Sequence, residues 1–305
     1  MISLGIDTSN YTTSVALYNG ETFRTKRKIL DVKMGMRGIR QSEGVFIHNR
    51  ELPNMLGEIL DGVKVDIVGV SVSPRNAEGS YMPVFTVGHG YAKAITSALG
   101  INLYEFSHQD GHLMAGIYSA GCFQLLDKPF LAVHLSGGTT EILSVKYNGL
   151  RFDEEIIGGT LDISVGQLID RIGVKMGMKF PCGKELENLA LSCNEIKRLP
   201  FSIKDTYFNL SGVETKLMNE ITAPNPSVAK TVFSYVTELL IKTISNAMKK
   251  TFIKDVLVVG GVASNSIIRN GLKECFKDRI FFATKELSSD NAVGCSVLAY
   301  LAERK

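Results

Sequence analysis

The sequence predicts an α/β protein built from two similar halves. Residues 4–20 and residues 131–149 share one plan: an apolar strand, a short polar turn, a Thr-Thr pair, a second apolar strand and a Tyr-Asn-Gly turn. The shared pairs are Thr12-Thr13 and Thr139-Thr140. Two unrelated hairpins in an ordinary α/β protein are the alternative, but they would rarely share both features. The repeat therefore indicates an internal duplication.

After each hairpin we expect a third strand, followed by alternating helices and strands. In the first half, hydrophobic periodicity predicts helices near 47–62 and 84–99, strands at 65–72 and 101–106, and then a helix that carries a histidine pair. In the second half it predicts helices near 162–177, within 184–250, from about 264 and from about 290, and strands at 256–259 and 280–282. Two such halves indicate the duplicated actin-like ATPase architecture (the ASKHA, ribonuclease H-like fold), with two lobes around a nucleotide cleft. We expect an N-terminal lobe over residues 1–125 and a C-terminal lobe over residues 126–305.

Composition narrows the class of protein. The 305 residues are 45% hydrophobic and 21% charged, without an apolar run long enough to cross a membrane or a basic leader at the N-terminus. We therefore expect a cytoplasmic protein with no membrane association. The five cysteines are scattered and never form a C-x-x-C pair, which argues against disulfides and against a cysteine-based zinc site.

A histidine pair is the first candidate metal site. His108 and His112 are four residues apart, so on a helix their imidazoles share one face. Asp290, far along the chain, is a candidate third ligand, and it also suits the N-cap of the last helix. Two histidines and a carboxylate suit iron, zinc or manganese alike. A helix with one exposed and one packed histidine is the alternative.

Two glycine-rich turns are candidate phosphate-binding elements. Ser136-Gly137-Gly138-Thr139 follows the first strand of the second hairpin, and Gly260-Gly261 follows the strand at 256–259. Glycine lets the backbone approach an anion closely. Each turn alone is more often a tight loop, but together they favour a nucleotide cleft. Asp7, at the end of the first strand, is a second-rank catalytic candidate that also suits a local cap.

Six segments fall in the order and approximate spacing of one known family. They are Gly5-Ile6-Asp7-Thr8-Ser9, His108-x-x-Gly111-His112, Ser136-Gly137-Gly138, Phe180-Pro181-Cys182-Gly183 with the preceding Asp170, Gly260-Gly261-Val262 through Asn265, and Ser289-Asp290-Asn291-Ala292. In these motifs, over nearly its whole length, the sequence resembles the TsaD family, also called Gcp or glycoprotease-like proteins.

The resemblance implies an activity and its site. Members of the family transfer threonylcarbamoyl from threonylcarbamoyl-adenylate to an anticodon-loop adenosine of tRNA. The resemblance implies that His108, His112 and Asp290 hold one divalent metal ion. It also implies TsaB-like and TsaE-like protein partners and a pocket for adenine nucleotide or adenylate. The implied pocket residues are His134, Leu135, Ser136, Gly137, Gly138, Asp170, Gly183 and Asn265.

The sequence departs from the family pattern in three segments. Tyr11 and Thr12 stand where the first hairpin turn of the family carries two acids, Thr139 replaces a histidine after Ser-Gly-Gly, and Gln167 replaces a glutamate. The alternative function is therefore a divergent paralogue that binds adenine nucleotide and metal but is non-catalytic or uses another acceptor. A zinc peptidase is disfavoured because Gln109, the residue after the first histidine, is an amide that cannot act as general base.

A basic segment is a candidate RNA contact. Residues 24–40 contain seven lysines and arginines and one acid, Asp31. Such a cluster suits the phosphates of tRNA, and a solvated hairpin edge is the alternative. The net charge of +3 does not by itself indicate a nucleic-acid-binding protein.

Overall fold

The structure is a computed structural model that describes residues 1–9, 12–30, 39–287 and 291–304. The chain divides into two compact units. The first consists of Met1–Gly121, Tyr147–Asp153 and Ser289–Lys305, and the second consists of Cys122–Lys146 and Glu154–Ser288.

The first unit contains a five-stranded sheet. Its strands are β1 (Ser3–Ser9), β2 (Thr12–Tyr18), β3 (Phe23–Ile29), β4 (Ile67–Ser73) and β5 (Asn102–Ser107). They are ordered β3-β2-β1-β4-β5. The β1-β2 and β2-β3 pairs are antiparallel, whereas β4 pairs in parallel with β1 and with β5. The helices of this unit are α1 (Gln41–Leu60), α2 (Phe85–Leu99), α3 (His108–Ala120) and α9 (Ala292–Glu303).

Strand β1 is buried along its whole length because helix α9 packs directly on it. Leu4 and Ile6 supply apolar surface, and Gly5 lies between them without a side chain. A Cβ at Gly5 would lie 1.9 Å from the carbonyl oxygen of Ala292. The glycine therefore permits a backbone approach that no other residue allows.

The second unit contains a seven-stranded sheet. Its strands are β6 (Phe130–Leu135), β7 (Thr140–Tyr147), β8 (Phe152–Thr160), β9 (Ser202–Lys204), β10 (Tyr207–Asn209), β11 (Val256–Val259) and β12 (Ile280–Phe282). They are ordered β12-β11-β6-β7-β8-β10-β9. Its helices are α4 (Val165–Lys175), α5 (Gly183–Leu191), α6 (Ser211–Met218), α7 (Pro226–Thr251) and α8 (Ser266–Phe276). Apolar residues of α7, among them Val228, Val232 and Leu239, are fully buried in the core of this unit.

The two sheets repeat one strand order. The order β3-β2-β1-β4-β5 of the first sheet corresponds to β8-β7-β6-β11-β12 of the second. In the first sheet, β1 pairs antiparallel with β2 and parallel with β4, and β4 pairs parallel with β5. In the second sheet, β6 pairs antiparallel with β7 and parallel with β11, and β11 pairs parallel with β12. The doubled hairpin of the sequence is thus part of a doubled sheet.

Local signals explain where several helices begin and end. Ser107 and Ser164 each form a reciprocal capping box at the start of α3 and α4. Pro226 occupies the first turn of α7, where its missing N–H is no loss. Gly121 ends α3 in the left-handed conformation that glycine adopts without strain.

Two features differ from the sequence-based picture. The β9-β10 hairpin interrupts the region where we expected only helices, because its three-residue strands are too short to show a period. The division of the chain also differs from the expected boundary near residue 125. Ser289–Lys305 belongs to the first unit, since α9 covers β1, β2 and β4. Within the described residues, no helix combines the length and the apolar character that a membrane span requires.

Candidate functional site

The histidine pair lies on α3 as its spacing predicts. His108 is the first residue of the helix and His112 lies one turn further on. Their ring centroids are 4.6 Å apart and the ring planes are 74° apart. Two imidazoles at this distance suit ligation of one ion. Asp290, the third expected ligand, lies outside the described residues.

Asp7 is the residue that orients His108. Its Oδ1 atom lies 2.9 Å from His108 Nδ1 and also accepts a hydrogen bond from the Ser71 hydroxyl. Burial alone would raise the pKa of the fully buried Asp7 carboxyl. The charge of His108 and the hydrogen bonds from His108, Ser71 and Ser9 outweigh that effect and lower the pKa below its usual value. Asp7 is therefore ionised at neutral pH and is hydrogen-bonded to His108 Nδ1.

The second ring nitrogen of His108, Nε2, lies 3.4 Å from the Asn291 amide nitrogen. A carboxylate that holds one imidazole nitrogen while the other faces a cation is the usual arrangement around metal-binding histidines. His108 and His112 thus supply two nitrogen ligands of the kind that a divalent ion takes. Within the described ranges, no three His, Cys, Asp or Glu side chains form a group able to hold one.

His48 is a buried polar residue that the sequence reading missed. It lies in α1 with its side chain fully buried, and its Nδ1 atom is 2.8 Å from the Thr13 hydroxyl. Burial lowers the pKa of His48, and the nearby Asp7 charge opposes that effect. The buried face of α1 follows helical spacing and includes His48, Leu52, Met55 and Leu56. A histidine within this apolar stripe was the sequence signal that could have predicted its burial.

The residues between the two histidines do not form a peptidase site. Asp110 is buried, and Ser107, Asn76 and the backbone N–H of Phe152 donate hydrogen bonds to it. Asp110 is thus occupied by the cap of α3 and by its other hydrogen-bond donors. Gln109 is also buried and carries an amide in place of a carboxylate.

In the second unit, the Ser136-Gly137-Gly138-Thr139 turn connects β6 and β7. The backbone N–H of Ser136 donates to the Thr139 carbonyl at 2.9 Å, and the Ser136 hydroxyl accepts from the Thr139 N–H at 2.9 Å. A Cβ at Gly137 or Gly138 would meet no atom within 4 Å. The turn is therefore held by Ser136, and its glycine face is open for a ligand.

The second glycine turn lies against the first. A Cβ at Gly260 would lie 2.3 Å from the Leu135 carbonyl oxygen and 3.1 Å from the His134 ring. Asn265 caps α8 by accepting a hydrogen bond from the Ile268 N–H at 3.0 Å. The turn after β11 thus packs against the end of β6 at His134 and Leu135, and Asn265 follows it at the start of α8.

Asp170 lies in α4 and stabilises the segment before α5. Its Oδ1 accepts a hydrogen bond from the Cys182 N–H at 2.8 Å, one residue before Gly183. Burial raises the pKa of Asp170, and this hydrogen bond partly offsets the rise. A Cβ at Gly183 would meet no atom within 4 Å, so the first residue of α5 presents an open backbone.

Gln167 and Thr139, two of the departures from the family pattern, have structural roles. The Gln167 side chain accepts from the Ser164 N–H at 3.1 Å, so this glutamine completes the cap of α4 as a glutamate would. Thr139 closes the glycine turn through its backbone, a role that does not need the side chain. Tyr11 lies outside the described residues, and Thr12 is the first residue of β2.

The basic segment is partly neutralised. Strand β3 carries Lys26, which pairs with Glu58 of α1, and Lys28, which pairs with Glu51 at 2.6 Å. Residues 31–38 of the segment lie outside the described residues. Two of the cations counted toward tRNA binding are thus engaged by acids of their own unit.

Comparisons with known proteins agree with the fold and the motifs. The sequence model of the family described as "TsaD: tRNA N6-adenosine threonylcarbamoyltransferase" matches residues 47–296. A protein of that name from Dichelobacter nodosus is 28% identical over 306 residues, covering 95% of this chain and 88% of its own length. The protein of that name from Thermosipho africanus is 26% identical, and the alignment covers 100% of this chain and 95% of the relative's own length.

Solved structures confirm the predicted fold class. A ROK family protein from Streptococcus pneumoniae aligns with a TM-score of 0.63 at 11% identity over 100% of both chains. The activator of 2-hydroxyisocaproyl-CoA dehydratase from Clostridium difficile aligns with a TM-score of 0.56 at 16% identity, covering 100% of this chain and 96% of its own. The fold is therefore the actin-like, ASKHA architecture. With the family match extending from α1 to α9, this chain belongs to the TsaD family.

Proposed function

We propose that this protein transfers a threonylcarbamoyl group from threonylcarbamoyl-adenylate to the N6 amine of an anticodon-loop adenosine in tRNA. The observation that carries the proposal is the family match, which covers both the histidine pair and the two glycine turns. In the reaction, the adenosine amine forms a bond to the carbamoyl carbon, the bond from that carbon to the phosphate oxygen breaks, and AMP leaves. The amine loses one proton.

The second unit supplies the adenylate pocket in this proposal. The open face of Gly137 and Gly138 receives the phosphate, because no side chain blocks the backbone there. His134, Leu135 and Asn265 lie at the adjoining ends of β6, β11 and α8, where they line the adenosine part. Their fixed positions orient the anhydride for attack without a covalent intermediate on the protein. The remaining pocket residues of the proposal are Ser136, Asp170 and Gly183.

The first unit supplies the metal ligands in this proposal. His108, His112 and Asp290 would hold one divalent ion, and Asp7 fixes the ring of His108 through its Nδ1 atom. When bound, the ion polarises or orients the acyl group as a Lewis acid. Iron, zinc and manganese all suit this ligand set.

The partners and the location follow from the same proposal. The tRNA would contact the basic segment at residues 24–40, where Lys26 and Lys28 are already paired with acids. TsaB-like and TsaE-like proteins would assist the reaction, and the protein would act in the cytoplasm.

A second candidate is a paralogue that binds adenine nucleotide and metal without this activity or with another acceptor. The observation that favours it is the sequence at Tyr11, Thr12 and Thr139, where the family carries two acids and a histidine. Each change removes an ionisable group of the kind that aligns or deprotonates a nucleophile.

One experiment separates the two candidates. Purified protein, together with the TsaB-like and TsaE-like partner proteins, receives synthetic threonylcarbamoyl-adenylate and an unmodified tRNA transcript, and the digested nucleosides are analysed by mass spectrometry. A family member of established activity runs in parallel. We expect modified adenosine with the wild type and none with His108→Ala. Adenylate binding without modification by the wild type, while the reference protein modifies the tRNA, would refute the first candidate.

A reconstruction tests the second candidate directly. The triple variant Tyr11→Asp, Thr12→Glu and Thr139→His restores the missing groups. If the protein has lost catalysis through these positions, the variant gains activity. An inactive triple variant that still binds adenylate would show that loss of these groups is not the cause.

A further inference from the structure

The second unit has a basic surface that neither the fold nor the proposed reaction uses. It consists of Phe252, Lys249, Lys254, Lys277 and Arg279, which line a cavity of about 640 Å³, and we call it the Phe252 patch. The patch lies beside the starts of β11 and β12. The glycine turns lie at the opposite end of β11, roughly 10–15 Å away for a strand of four residues. The patch is therefore separate from the adenylate pocket.

Phe252 has no structural reason to be phenylalanine. It ends α7 in the left-handed conformation, with φ of 61°, where glycine is the usual residue because it avoids a steric cost. Its side chain is 86% exposed, so packing within the protein does not repay that cost. A large aromatic ring held in solvent on a strained backbone suits contact with another molecule.

Lys277, which also lines the cavity, is a second residue with a positive φ. Its φ is 51°, and it belongs to the tight turn between α8 and β12. Within the described ranges, only Asp205 shares a positive φ with these two residues outside glycine. Two of three such positions therefore border one cavity.

The charge of the patch is positive and largely uncompensated. Lys128, on its edge, pairs with Asp255 at 2.6 Å. In the part of the chain that the structure describes, the four cations of the patch form no ion pair, and Asp278 is the acid among the residues lining the cavity. The surface therefore attracts a polyanion.

Helix dipoles explain only part of this charge. Lys249 lies in the last turn of α7 and Lys277 just follows α8, where cations stabilise the negative helix end. Lys254 and Arg279 lie outside both helices, in the segments that lead into β11 and β12. Helix dipoles also give no reason for the exposed aromatic ring of Phe252.

We propose that the Phe252 patch binds RNA, with the cations contacting backbone phosphates and the Phe252 ring stacking on an unpaired base. An exposed aromatic ring among lysines and arginines is the combination that single-stranded nucleic acid recognises. The identity of this RNA as the tRNA substrate rests on the proposed function. The patch then gives the tRNA a contact outside the adenylate pocket.

The absence of tryptophan from the sequence allows a direct test. Phe252→Trp places a single indole in the patch, and Leu99→Trp places one at an exposed position at the end of α2, away from the basic segment at residues 24–40. Each variant is titrated with an unmodified tRNA transcript while indole fluorescence is recorded. We expect saturable quenching for Phe252→Trp and none for Leu99→Trp. Equal behaviour of the two variants overturns the proposal.

Affinity measurements test the charges and the ring separately. Phe252→Ala should weaken tRNA binding by about 5- to 150-fold, the usual effect of losing one base-aromatic stack. Lys254→Gln with Arg279→Gln should lower the slope of log affinity against log salt by about two. Lys93→Gln, at an exposed site on α2, is the matched control and should change neither quantity. Thermal unfolding verifies that each variant is folded.

The outcomes distinguish this inference from the proposed function. If tRNA is modified and bound equally well by wild type and patch variants, the inference fails and the function stands. If Phe252→Trp is quenched by tRNA although no adenosine is modified, the inference stands and the function fails. Quenching by polyglutamate as strong as by tRNA overturns the assignment to RNA and points to an acidic protein.

Discussion

The glycine turn between β6 and β7 provides the most direct test of the adenylate pocket. Gly138→Val adds a side chain where a Cβ meets no protein atom within 4 Å. The free energy of unfolding should therefore change by less than about 0.5 kcal/mol, as at an unconstrained surface position. The same side chain occupies the space through which a phosphate approaches the backbone.

The expected loss of affinity follows from one hydrogen bond to a charged group. Such a bond contributes about 1.5–3 kcal/mol, so binding of a non-hydrolysable adenylate should weaken by roughly 10- to 150-fold. Isothermal titration calorimetry measures the affinity, and thermal unfolding measures the stability. Gly212→Val is the matched control, because Gly212 is equally open but lies in α6, outside the turn.

Three results would refute this reasoning. Wild-type affinity in Gly138→Val would mean that the turn does not receive the phosphate. A large fall in thermal stability would mean that the glycine face is not open in the folded protein. Loss of affinity in Gly212→Val would indicate that the effect is not specific to the turn.

Three further predictions concern stability and metal binding. Gly5→Ala should lower the free energy of unfolding by about 3 kcal/mol or more in urea denaturation, because its Cβ would lie 1.9 Å from the Ala292 carbonyl oxygen; a neutral result would contradict the packing of α9 on β1. Asp162→Ala should lower the free energy of unfolding by about 1 kcal/mol at pH 7, because Asp162 accepts hydrogen bonds at the start of α6. Burial would raise the pKa of Asp162, but these hydrogen bonds lower it below 3.8. Its stabilisation is therefore complete well above pH 3.8 and is lost progressively as the pH falls from 3.8 through the lower folded value, so urea curves for the two proteins should differ most at pH 7 and less at pH 3. Asp7→Asn should weaken metal binding by about 10- to 100-fold in a chelator competition while leaving the circular dichroism unchanged, because His108 loses its carboxylate partner; unchanged affinity would show that Asp7 does not position the ligand.

Much of the fold could be predicted from the sequence because it rests on local signals. The strand at 256–259 and the start of the histidine helix follow from apolar runs and from a serine cap, which act over a few residues. The doubled hairpin indicated a doubled sheet, and the common strand order confirms it. The β9-β10 hairpin was missed because two strands of three residues carry no readable period.

The candidate site was predicted in part, for a similar reason. The histidine spacing and the open glycine turns are short motifs, so their local geometry followed from sequence. The ion pairs that neutralise Lys26 and Lys28 could not be predicted from the sequence, because their acidic partners lie on α1, more than twenty residues away. Charge counted along the chain therefore overestimated the free charge at residues 24–40.

The sequence by itself determined the two α/β halves, the placement of His108 and His112 on one helix, and the glycine turns. These depend on periodicity, caps and glycine, which act between near neighbours. Only the tertiary structure decided that Asp7 holds His108 across 101 residues, that His48 is buried beside Thr13, and that α9 belongs to the first unit. Such contacts depend on which faces the sheet brings together, and a buried carboxylate remains ionised only where those faces supply its donors.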